Sequence, residues 1–160
     1  MKYSRFEELP VWQAASALAL RIFALCEKLA FRRRRSLRDQ IERAALSVSN
    51  NIAEGFERGT TKELLTFLYI ARGSAGEVRS MLCLLEQMPA FGDLKSEISD
   101  LKSLAENISR QLGGWAQKLQ DSPIPGPRYL TSKVRQATQG RQERDAFLAE
   151  LRAVPVPRKG

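Results

Sequence analysis

Apolar residues recur along this chain at spacings of three and four, the signature of amphipathic helices. Val11, Ala15, Leu18, Ile22, Leu25 and Leu29 alternate steps of four and three. That seam predicts a first helix over residues 7–29, with Pro10 in its first turn, where a missing N–H costs nothing. Leu37, Ile41, Ala44, Val48, Ile52 and Phe56 predict a second helix over 37–57, weakened at its end by Gly55 and stopped by Gly59. Thr60, with Glu63 three residues on, fits a capping box that opens a third helix running to about residue 87. Pro89 and Gly92 mark a turn. Leu94, Ile98, Leu101, Ala105, Ile108, Leu112, Trp115 and Leu119 then predict a fourth helix over 93–119. Four long helices joined by short turns read as an all-α fold, an antiparallel up-down-up-down four-helix bundle over residues 1–120. The pattern changes at residue 121, where SPIPGPRYL reads as linker. Residues 121–160 form a Pro-containing basic C-terminal extension, in which Phe147, Leu148 and Leu151 are spaced for a short helix over 141–152. This extension reads equally as a docking arm or a flexible basic tail.

A second stripe runs beside the apolar one on the second helix: Gln40, Arg43, Ser47, Asn50, Asn51, Glu54 and Arg58. Ser and Asn compete with the helix backbone for hydrogen bonds, so such a stripe implies a use. A buried network, a subunit contact and a ligand all fit. Its expected neighbours on the third helix are Arg72, Ser74 and Glu77. That helix also carries Gly73 and Gly76, each costing about 1 kcal/mol relative to Ala. A close helix crossing or a subunit contact would offset that cost.

Charge adds a direction. The 160 residues carry a net charge of +8, with the excess in residues 31–60 and 121–160 while 61–120 balances. Clustered positive charge favours phosphate backbones or other acidic partners. There is no histidine, which removes His-based acid–base chemistry, His metal ligands and His-containing triads. Glu54 and Glu77 are the one carboxylate pair worth weighing for catalysis, but no nucleophile or metal cluster accompanies them, so no enzyme activity, metal or cofactor is expected. Cys26 and Cys83 sit among apolar residues and read as small core residues rather than a disulfide. No run reaches the roughly 20 apolar residues of a membrane span, and MKYSRFEELPVWQ lacks a secretory pattern, so a reducing cytoplasm is the expected compartment.

Three segments carry a family resemblance: FEELPVWQAA near the start, LRDQIERAALSVSNNIAEGFERGTTKE in the middle, and FLYIARGSAGEV after it. Over residues 6–119 the chain resembles the bacterial four-helix-bundle family of ribosomal-RNA intervening-sequence-encoded proteins, to which the accessory variability determinant of diversity-generating retroelements is related. The resemblance implies a left-handed four-helix bundle that assembles into a ring-like pentamer without known catalytic activity. In the retroelement relatives, a basic pentamer binds RNA and a reverse transcriptase. The positions matching the family's signature are Arg43, Ser47, Asn51, Glu54, Gly55, Arg58, Gly73, Ser74 and Glu77. Two departures stand out: FRRRRS replaces a Pro- and acid-containing loop before the second helix, and a basic tail of about forty residues follows the fourth. Both favour a member that contacts nucleic acid or a partner protein strongly.

The candidate interface is therefore Arg32, Arg33, Arg34, Arg35 and Arg38, with Arg128, Lys133 and Arg135 in the tail. Arg presents a planar fork suited to phosphate oxygens. Phe31 is the one aromatic beside the run, so base stacking is not indicated there and sequence-independent backbone binding is expected. Trp12 and Trp115 lie near the seams and read as core or interface. The structural or interface network is Arg43, Ser47, Asn51, Glu54, Arg58, Arg72, Gly73, Ser74 and Glu77. The expected function is that of an oligomeric accessory protein binding structured RNA or an RNA–DNA hybrid, with a reverse transcriptase as protein partner and no membrane. The alternative is a protein–protein scaffold ring with no direct nucleic-acid role.

Overall fold

The computed structural model describes residues 3–121. The tail positions Arg128, Lys133 and Arg135, the linker and the helix expected over 141–152 lie outside the described residues. Four helices form the expected antiparallel bundle: α1 Pro10–Cys26, α2 Arg35–Glu57, α3 Thr61–Gln87 and α4 Lys95–Gln120. Each packs on its neighbour in sequence, and α4 closes against α1, the least extensive of the four contacts.

The starts and stops follow local chemistry. Helix α1 begins at Pro10 rather than residue 7, because Leu9 is extended (φ −73°, ψ 120°), as the residue before a proline is driven to be. A 3-10 turn, Phe6–Glu8, precedes it. The Thr60 cap forms, its Oγ1 accepting from the Glu63 N–H at 3.2 Å. The return half differs from a standard capping box, since the Thr60 hydroxyl itself donates to Glu63 Oε2 at 2.7 Å. Helix α2 ends because Arg58 is extended (φ −68°, ψ 144°), not through a left-handed glycine at Gly59; among the described residues no glycine has a positive φ.

The seams hold the core, although Leu37 and Leu94 at the starts of theirs are only half-buried, and three further departures are informative. Val11, Ala15, Leu18, Ile22 and Leu25 are buried, but Leu29 is 70% exposed. The helix ends before Leu29, and a 3-10 turn, Leu29–Phe31, buries Phe31 instead. On α4 the buried series is Ile98, Leu101, Ala105, Ile108, Leu112 and Ala116, so Trp115 and Leu119 are only half-buried. An α-helix with 3.6 residues per turn drifts off a strict heptad, which moves the last contact from 115 to 116. Cys26 is buried as expected, whereas Cys83 is half-buried. Burial, aided by the charge of Glu42, pushes the Cys26 thiol up to about 12.

The close helix approach lies elsewhere than expected. A Cβ on Gly73 or Gly76 would meet nothing within 4 Å. A Cβ on Gly55 would meet Phe67 Cβ at 2.7 Å and Leu64 Cδ1 at 3.2 Å. The tight contact is therefore α2 on α3 beside their connecting turn, and Gly55 is there for packing rather than as a weak last turn.

Gly55→Ala is expected to destabilise the protein by about 1–3 kcal/mol in denaturant unfolding, since overpacking outweighs the gain in helix propensity. Gly73→Ala and Gly76→Ala should each stabilise it by about 0.5–1 kcal/mol. A loss of stability at Gly73 or Gly76 would mean that another surface covers that face. The thiol makes a separate prediction. An alkylating reagent should modify Cys83 in the native protein and reach Cys26 only on unfolding. Because burial holds Cys26 protonated to about 12 against an ordinary 9.0, this thiol's contribution to stability is intact below pH 9.0 and falls as pH rises through that window.

Candidate nucleic-acid interface

The basic run occupies the turn between α1 and α2 and the first turn of α2, so it sits at the end of the bundle that also carries the α3–α4 turn. Its five arginines divide by what they touch. Arg34 is half-buried, donates Nη1–H to the Ala30 carbonyl at 3.0 Å, and lies over the Phe91 ring, 5.5 Å from its centroid. Phe91 is itself buried and meets Phe31 edge-on at 4.9 Å between centroids. Arg38 reaches Glu27 Oε1 at 2.7 Å and Glu42 Oε1 at 3.0 Å. The hydrogen bond to Glu42 is the largest cause of a raised guanidinium pKa, which burial opposes. Arg38 thus ties the end of α1 to α2.

Arg32, Arg33 and Arg35 are different. All three are exposed, and among the described residues none has a carboxylate within ion-pair distance. They flank an α2 start with no side-chain cap and no acidic residue in its first turn. Unsatisfied N–H groups there add to the positive field. Exposed aromatic faces are lacking at this turn, since Phe31 is buried and Arg34 covers Phe91. The arrangement can meet phosphate oxygens but offers no stacking platform. Sequence reasoning missed Phe91 and Glu27. The signals were a Phe inside a Pro- and Gly-marked turn, and a Glu just past the end of α1.

The polar stripe of α2 resolves into three separate groups. Gln40 donates to Glu77 of α3 and accepts from Arg43 Nη2 at 2.7 Å. Ser47 and Ser74 share a hydrogen bond at 2.9 Å, and Asn51 Nδ2 donates to the Ser47 carbonyl and hydroxyl at 2.7 and 2.9 Å. Glu54 pairs with Arg58 at 2.5 Å, and Arg58 lies over Phe67, 5.1 Å from its centroid. Asn50 is exposed. Arg72 does not join the stripe: its guanidinium lies across Gly113 of α4, where a Cβ would meet it at 3.4 Å. Gly73 faces open space. Glu77 lies level with Gln40, and Glu54 is fourteen residues further along α2, about 21 Å at 1.5 Å per residue. Glu54 and Glu77 therefore form no carboxylate pair. Among the described residues there is no group of three or more His, Cys, Asp or Glu side chains arranged to hold a metal.

Arg38→Gln is expected to lower the thermal midpoint, because it leaves Glu27 and Glu42 without their shared partner. Arg32→Gln, Arg33→Gln and Arg35→Gln should each leave stability within about 0.5 kcal/mol of the parent. Equal losses at all four positions would contradict this division.

No curated protein matches this sequence. A family model described as 23S rRNA-intervening sequence protein matches residues 7–114, from the turn before α1 to the last turns of α4. That span is more than half of the chain and takes in the whole polar stripe, the arginine turn and both Gly55 and Gly73. The chain belongs to the 23S rRNA-intervening sequence protein family.

Proposed function

We propose that this protein is a non-enzymatic, oligomeric accessory factor that grips the phosphate backbone of structured RNA or an RNA–DNA hybrid through Arg32, Arg33 and Arg35. The observation that carries the reading is that these three side chains are exposed and without ion pairs beside an uncapped helix start, while Arg34 and Arg38 serve the fold. Charge of this kind binds by releasing counterions and is indifferent to sequence. Arg128, Lys133 and Arg135, outside the described residues, extend the same basic character along the chain.

Assembly into a ring repeats the arginine turn around an axis and multiplies its field. The pentamer and a reverse transcriptase as protein partner rest on the resemblance to the retroelement accessory protein. Exposed apolar side chains, Leu20 at 65%, Leu84 at 52%, Ile70 at 46% and Leu46 at 45%, suit such contacts and also favour a second reading, a scaffold that binds protein alone. A cytoplasmic setting fits both. Among the described residues no helix is long and apolar enough to cross a membrane.

Anisotropy titrations of duplex RNA across a range of salt separate the two readings. Replacing Arg32, Arg33 and Arg35 together by Gln should reduce the slope of log affinity against log salt by about 2–3, close to 0.9 per lost phosphate contact. Replacing Arg34 should change that slope far less. An unchanged slope in the triple variant would leave the scaffold reading in place.

A further inference from the structure

At the end of the bundle opposite the arginine turn, the start of α1 parts from the last turns of α4 around a recess of about 550 Å³. That size lies within the roughly 300–1,000 Å³ of small-ligand sites. Its apolar floor comes from Leu9 and Val11, both buried. Tyr3 and Trp115 bring aromatic rings to it. Trp115 packs on the core but is left half-buried by the drift of the α4 seam, and it also lines the recess. Gln111, Gly114 and Lys118 complete the α4 wall, at the three- and four-residue steps that share one helical face with Trp115.

The charge of the recess has a definite sign. Among the described residues, Lys118 is the one ionic group lining it, and no carboxylate lies within ion-pair distance of that ammonium. The uncapped start of α1 and the closing turns of α4 meet there, so their opposite end charges offset and the ammonium decides. Gln111 donates its Nε2 to Asn107 at 3.3 Å, which leaves its amide oxygen as an acceptor. Gly114 supplies the space: a Cβ there would meet nothing within 4 Å.

Aromatic rings, one cation and one amide acceptor suit a flat ring with amino hydrogens and a nearby anion. We propose that this recess binds an unpaired nucleotide with an amino-bearing base. The ring stacks on Trp115 and Tyr3, the phosphate pairs with Lys118, and Gln111 accepts from the exocyclic amine. This contact stands apart from the arginine turn, which offers no stacking surface and reads no base.

The test is to titrate the full chain with adenosine monophosphate, ribose phosphate, adenosine and a short oligoadenylate, by calorimetry and tryptophan fluorescence. Adenosine monophosphate should bind and quench, while adenosine, lacking the phosphate contact, and ribose phosphate, lacking both the stacking and the amine hydrogen bond, bind at least about tenfold more weakly. Lys118→Gln should weaken the monophosphate about tenfold and leave adenosine unchanged. Gly114→Leu should abolish binding while keeping or raising the melting temperature, because a leucine suits the helix interior better than glycine and projects into the recess. The triple arginine variant should bind the monophosphate as the parent does, so a failure of the arginine reading does not touch this result. Tighter binding of the oligoadenylate identifies a strand as the source, and equal binding a free nucleotide. Ribose phosphate binding as well as the monophosphate, full binding by Gly114→Leu, or no binding of either adenylate would overturn the proposal.

Discussion

The register of α2 against α3 governs most of what this bundle presents. It is set where the two helices come closest, at Gly55, with Phe67 and Leu64 filling the space a side chain would need. The turn there is short and doubly fixed, by the Thr60 cap and by Arg58 bridging Glu54 to the Phe67 ring. Once that end is fixed, antiparallel helices can place only certain residues opposite each other. Ser47 meets Ser74, and Gln40 meets Glu77. The same register holds Glu54 and Glu77 far apart, and so removes the one carboxylate pair that hinted at catalysis.

At the far end of the same pair, aromatic packing does what the glycine contact does at the near end. Phe31 and Phe91 close the core edge-on, and Arg34 lies over Phe91. A cationic turn would repel itself if every charge were free. Here one guanidinium is stacked and another is held by Glu27 and Glu42, which leaves three directed outward. A buried aromatic pair and two carboxylates thus shape the surface charge.

Much of this was legible in the sequence. The apolar steps of three and four marked α1, α2 and α4 and about half of the buried residues, because a stripe must face a core wherever that core lies; the buried series of α3, Leu64 to Leu85, was not read as a seam. The cap at Thr60 was readable because its chemistry is local. What the pattern lacked was knowledge of neighbours. Gly73 and Gly76 resemble crossing-point glycines, yet the crossing is at Gly55, and only a partner helix distinguishes them. Arg72 reads as a member of the polar stripe but points to α4. Leu29 continues the first seam in sequence, although its helix has already ended. The arginines looked alike as a run of letters. Phe91, distant in sequence, and Glu27, across the turn, decide which of them are free.

The stacking of Arg34 on Phe91 has a mechanical consequence. Phe91 belongs to the turn joining α3 to α4, and Arg34 belongs to the turn joining α1 to α2, so the two turns are pinned together. A load applied at Arg32 or Arg33 is not borne by the end of α2 alone. It is shared through the stacked pair with the turn of the opposite half of the bundle, up to the roughly 0.5–2 kcal/mol that such a contact carries.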